Sequence, residues 1–148
     1  MKKNALMFLM TGLMMVMISC TKEEVTVDSS KPTGDFSVTK SGSIVEQNST
    51  GSKGSVQLGK DGSNNYFVKL GQDFTTVLAT GTVTVYLSTS NTFKADPGNG
   101  NPDLKLIGIV QKNGEQYLKL SSAPESKFTH LILWCGSASI PFGYAAMQ

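Results

Sequence analysis

Two cysteines, one histidine and no arginine set the range of chemistry open to this 148-residue chain. A thiolate can act as a nucleophile, a metal ligand or a redox group when something nearby lowers its pKa. Cys135 is the candidate for such work, yet no lysine stands within seven residues of it. Free cysteine is also among the most buried residue types, so packing is the competing reading. The single histidine, His130, excludes any cluster of imidazole metal ligands. Past the first 20 residues, haem would have only His130, Met147 and Cys135 as axial choices, and no Cys-x-x-Cys-His attachment sequence occurs. Asp96, Asn99, Asn101 and Asp103 space oxygen ligands as calcium loops do, without the downstream bidentate acid. Their intervening prolines and glycines describe a surface loop equally well. A Ser-His-Asp set would have to use His130, which lies inside a strand-like run with no nucleophile elbow beside it. Trp134 and the other aromatic residues read as packing before they read as a sugar platform.

The charge balance removes another class. Thirteen Lys face 11 Asp plus Glu, and the net charge of +2 is that of Lys2 and Lys3. The rest of the chain is neutral, with no guanidinium fork and no basic field, so no nucleic-acid partner is expected.

Cys20 has a different context. Lys2 and Lys3 precede an apolar run from Ala5 to Ile18, broken by Thr11 and Gly12. Fourteen residues are short for a spanning helix, which needs about 20, and suit the core of an export signal. Met17-Ile18-Ser19-Cys20 resembles the lipobox of bacterial lipoproteins, with Met where Leu is usual. That resemblance implies cleavage before Cys20, a diacylglyceryl group on its sulfur and further acylation of its new amino group. Several acyl chains make a stable anchor, each buried methylene contributing about 0.8 kcal/mol. A simple cleaved leader, or a retained N-terminal helix in which Cys20 is incidental, is the alternative. Lys22-Glu23-Glu24 resembles the surface-export signal of lipoproteins in some two-membrane bacteria, or serves as a polar linker. The expected address is the cell envelope, at the outer membrane. The expected organisation is a signal peptide over 1–19, a lipidated cysteine and flexible tether over 20–34, and one domain over 35–148.

The elements that must position Cys135 are strands. Short runs rich in Val, Ile, Thr, Tyr and Phe recur about every ten residues, punctuated by Gly, Asn, Asp and Ser. They predict strands at 35–39, 43–48, 54–59, 65–70, 82–88, 104–111, 115–120, 128–135 and 138–146. The fold expected is all-β, an antiparallel β-sandwich or flattened barrel of about nine short strands. Asp61-Gly62 and Asn113-Gly114 are hairpin signals, the second joining 104–111 to 115–120. Alternation puts Val83, Val85 and Leu87 on one face.

If Gly136-Ser137 forms a tight turn in the last hairpin, Cys135 faces Ala138, Leu133 faces Ile140 and Leu131 faces Phe142. That face is wholly apolar and must be core. The other face carries Phe128, His130, Ile132, Trp134, Ser139, Pro141 and Gly143, half exposed. In this register His130 faces Gly143, and Met147 lies four residues further on.

Trp134-Cys135, followed by Ile140-x-Phe142-Gly143-x-Ala145, is similar to the closing motif of the DM-thirteen domain. That module occurs beside DOMON domains and is catalogued as an electron-transfer domain. Leu106-Ile107-Gly108 with Gly114-Glu115-Gln116-Tyr117, and Asp73-Phe74 with Gly81 and Val85-Tyr86-Leu87-Ser88, resemble its earlier strands. The likeness covers residues 36–147. The resemblance implies redox work at Cys135, as a bare thiol or as an anchor for a prosthetic group such as haem, with Trp134, Phe142 and Gly143 as motif neighbours. Gly136 and Ala138 depart from the usual residues after the Trp-Cys pair, Gly81-Thr82-Val83 replaces a common Gly-Pro-Asp, and the family's early histidine is missing. The expectation is a lipid-anchored redox or electron-transfer module with an envelope partner, and not a stand-alone enzyme. The alternative is a structural, adhesive or ligand-binding surface lipoprotein.

Overall fold

The computed structural model describes residues 30–94 and 100–148. These contain nine strands in two antiparallel sheets: β1 (Ser37–Ser43), β2 (Val45–Glu46), β3 (Ser55–Lys60), β4 (Tyr66–Leu70), β5 (Val83–Ser88), β6 (Leu104–Ile109), β7 (Gln116–Lys119), β8 (His130–Cys135) and β9 (Ile140–Ala146). One sheet runs β1-β3-β4-β7 and the other β2-β9-β8-β5-β6. Neither closes on itself, so the architecture is a sandwich and not a barrel.

Alternation builds the interior. Val56 and Leu58 of β3, Val68 and Leu70 of β4, Val83, Val85 and Leu87 of β5, and Leu131, Leu133 and Cys135 of β8 meet in one core. Each fully buried Leu or Val side chain there contributes about 1.5–3 kcal/mol. The chain changes sheets at Ile44, buried between β1 and β2, whose N–H donates to Gly54 O at 2.9 Å. That crossing divides the 35–39 and 43–48 runs differently from the sequence pattern: β1 continues through Ser43, and β2 keeps two residues. Gln148 and Ser41 exchange both backbone hydrogen bonds, at 2.8 and 2.9 Å, tying the last residue to β1.

Asp61 makes the β3–β4 hairpin. Its Oδ1 accepts from the N–H groups of Ser63 and Asn65. Its Oδ2 accepts from Thr33 N at 3.0 Å, which fastens the segment before β1 across the hairpin. Phe36 then reaches Tyr117 edge-on at 5.7 Å, and Tyr117 meets Phe67 at 6.3 Å on the outer face.

Asn113-Gly114 does not form a hairpin. β6 and β7 belong to different sheets, and the segment between them is a corner. Asn113 Oδ1 accepts from Thr76 N at 2.9 Å, and Gly114 N donates to Phe74 O at 2.8 Å. Buried Gln116 braces the corner, donating to Ile109 O and accepting from Gln111 N, both at 3.0 Å. The Asn-Gly pair turns the chain as its φ preferences allow, but long-range partners decide where the next strand goes.

The last hairpin also departs from the expected register. Cys135 faces Ile140, Trp134 faces Pro141, Leu133 faces Gly143 and His130 faces Ala146, with a bulge between Leu133 and Trp134. The loop is 136–139, and Ala138 is exposed in it instead of facing Cys135. Pro141 has no N–H to offer a ladder. Phe142, the extra residue, turns its carbonyl away to accept from Gln47 N at 3.0 Å and Thr50 Oγ1 at 2.7 Å. Phe128 and Ile132, expected on a half-exposed face, are both buried.

Candidate functional site

Cys135 ends β8 with its side chain fully buried in the core. Val83 of β5 and Ile140 of β9 flank it across the ladders. The Ser137 hydroxyl lies 3.4 Å from Sγ and donates to Thr80 O at 3.0 Å. Gly81 leaves the space for this contact: a Cβ there would fall 1.9 Å from Ser137 Oγ and 3.8 Å from Sγ, and its φ of 130° is itself one that side chains rarely adopt. Two segments far apart in sequence, Thr80-Gly81 and the turn at Ser137, thus meet beside the sulfur.

These groups hold the thiol below its ordinary pKa. The Ser137 hydroxyl lowers it most, burial opposes that, and the N–H groups of Ala138 and Ser137 and the Thr80 hydroxyl lower it further. The leading influences are uncharged. A cluster of N–H and O–H dipoles at a turn stabilises an anion as a nest does. Sequence proximity could have found Ser137; Gly81 stood out only as a motif residue, and nothing local placed it or Thr80 beside the sulfur.

Trp134 turns to the opposite face. Its indole stacks on Phe93 at 4.0 Å and 14°, and Phe93 meets Tyr86 edge-on at 5.1 Å. Its backbone carbonyl accepts from Thr84 Oγ1 at 2.8 Å. Phe142 is core, and Gly143 is a close-approach position where a Cβ would meet Val45 O at 2.9 Å and Ile44 Cγ2 at 3.0 Å. So the motif neighbours pack around the hairpin that presents Cys135, and Trp134 does not face the sulfur.

His130 is not placed to share a haem iron with Met147 or with Cys135. His130 faces Ala146 and lies on the outer face, with Nδ1 2.9 Å from Thr129 Oγ1. Met147 is buried in the core. The two are closer along the strands than the expected register implied, but the sheet separates them. His130 and Cys135 occupy opposite ends of β8, roughly 17 Å apart at strand rise.

In the suspected calcium loop, Asp96 and Asn99 lie outside the described residues. Asn101 Oδ1 accepts from Asp103 N at 2.9 Å, and its amide donates to Lys94 O. Those bonds serve the loop itself, and no group of three ligating side chains gathers among the described residues. Cys20 also lies outside them.

No curated protein and no solved structure matches the chain. A family model described as "Electron transfer DM13" matches residues 43–147, which takes in every strand from β2 to β9 and the whole surround of Cys135. With the Trp134-Cys135 pair ending β8 inside that match, the chain belongs to the DM13 electron-transfer domain family.

Proposed function

We propose that this protein is a lipid-anchored envelope module that works in redox or electron transfer through the Cys135 thiol. The observation that carries the reading is the surround of the sulfur: a Ser137 hydroxyl at 3.4 Å and turn N–H groups, uncharged donors that favour the thiolate. Such a thiol can exchange with a partner disulfide, forming a mixed disulfide and releasing the partner's second sulfur as a thiolate. The partner is an envelope protein or small disulfide reached while Cys20 holds the chain at the membrane.

A second reading has its own observation. The sulfur is fully buried and sits in the main core, as a packing cysteine does.

A thiol titration of the native protein separates the two. Reaction in the native state, at a rate rising through a midpoint below the ordinary thiol value, supports redox work. Reaction only after denaturation supports packing. An absorption spectrum taken with it tests for a prosthetic group, and a Soret band would overturn the bare-thiol reading. The anchor is tested by fatty-acid labelling of cells: Cys20→Ala should lose the label, and equal label on both forms would sink the lipoprotein reading.

A further inference from the structure

Ser137 carries one hydroxyl proton, and the structure gives that proton two acceptors. In the geometry observed it is committed to Thr80 O at 3.0 Å. The 3.4 Å contact between Ser137 Oγ and Cys135 Sγ must then be donated by the thiol. A chain of donors results, from Cys135 S–H to Ser137 Oγ and from Ser137 O–H to the Thr80 carbonyl. When Cys135 gives its proton to solvent base, the sulfur becomes an acceptor with no hydrogen of its own. The Ser137 hydroxyl then has to choose between the thiolate and the carbonyl. A charged acceptor binds the hydrogen more strongly than a neutral one.

We infer that Ser137 couples the protonation state of Cys135 to the Thr80–Gly81 loop, releasing the Thr80 carbonyl when the thiolate forms. Ser137 is a positioning residue in this scheme. The loop is suited to respond. It joins the β4 side of the molecule to β5, exposes Val77 and Leu78 at its surface, and passes the sulfur turn at Gly81, where no side chain intervenes. The groups facing the sulfur are the Ser137 and Thr80 hydroxyls, the N–H groups of Ser137 and Ala138, and apolar Val83 and Ile140. The leading influences on the sulfur are uncharged, so the hydroxyl is the natural switch. The scheme rests on the reading of Cys135 as a working thiol for its use, though not for the bond itself: a redox partner would meet a loop whose tether depends on the state of the sulfur.

Thiolate absorbance near 240 nm, with Cys135→Ala as the blank, reports the sulfur in the full chain. The Gly81 amide resonance reports the Thr80 carbonyl, which shares its peptide group. In wild type the two should titrate with one midpoint. Ser137→Ala should raise the sulfur midpoint by about one pH unit and abolish the linked movement of Gly81. Ser137→Thr, which keeps the hydroxyl, should preserve both. A Gly81 titration unchanged in Ser137→Ala, or a sulfur midpoint that does not move, would overturn the coupling. Linked titration in a protein whose thiol exchanges with no disulfide would overturn the redox reading and uphold the coupling.

Discussion

At the scale of the residue, the question is what a buried sulfur costs and contributes. If Cys135 serves packing alone, Cys135→Ser is expected to be the harsher substitution, because a buried hydroxyl without a partner costs about 1–3 kcal/mol. The Ser137 hydroxyl at 3.4 Å changes that expectation, since it can pair with a new hydroxyl. Cys135→Ala instead leaves a void against Val83 and Ile140, at about 1–2 kcal/mol for one heavy atom removed. Cys135→Ser should therefore be no less stable than Cys135→Ala, and both should lose thiol exchange. Urea denaturation of the three proteins checks the order. A serine variant weaker by several kcal/mol would mean that Ser137 cannot turn toward position 135.

At the scale of the element, the decisive feature is how β9 is held from both sides. β8 pairs along it, and two-residue β2 covers its other edge through Val45 and Glu46. So short a strand contributes little by its own hydrogen bonds and depends on close approach. Gly143 permits that approach, because a Cβ would sit 2.9 Å from Val45 O and 3.0 Å from Ile44 Cγ2. Gly143→Ala should push β2 away and cost about 1–3 kcal/mol, as overpacking does. Amide exchange checks it: protection of Gln47, whose N–H donates to Phe142 O, should fall well before that of β8. Uniform loss across the sandwich would instead mean that β2 and the core open together.

At the scale of the whole molecule, two carboxylates tie distant segments, and both should appear in the acid limit of stability. Asp73 accepts from the Ser55 hydroxyl at 2.7 Å and from its N–H at 3.0 Å. The hydroxyl, then the N–H, holds its carboxyl below the usual value. At Asp61 burial pushes upward, but N–H groups of Thr33, Asn65 and Ser63 and the Asn65 amide outweigh it, so its value is also lowered. A carboxyl whose folded value is depressed contributes stability that is complete above its unfolded value, about pH 4, and lost as pH falls through the folded value. Melting temperature should hold steady from pH 7 down to about 4 and then drop. Asp73→Asn should melt lower at pH 7 and converge with wild type in acid. A parallel offset at every pH would show that Asp73 acts by packing and not by charge.

Local pattern determined a good deal of this protein by itself. Period-two alternation in Val83, Val85 and Leu87 places the core face of β5, because side-chain direction in a strand depends only on parity. The same parity puts Cys135 inside. Asp61 marks a real hairpin, because its side chain satisfies backbone groups two and four residues on, within reach of local sequence. The tertiary structure decided what depends on partners far along the chain. Asn113-Gly114 carries the same turn chemistry in a hairpin or a corner, and bonds to Thr76 and Phe74 choose the corner. Pro141 announces a missing donor, but the bulge beside Trp134 follows from Gln47 and Thr50 claiming the Phe142 carbonyl. The surround of Cys135 needs Thr80 and Gly81, more than 50 residues away in sequence, to meet Ser137. Hydrogen bonds and close contacts of that separation are fixed only when two sheets pack, because no local preference encodes which distant backbone will arrive.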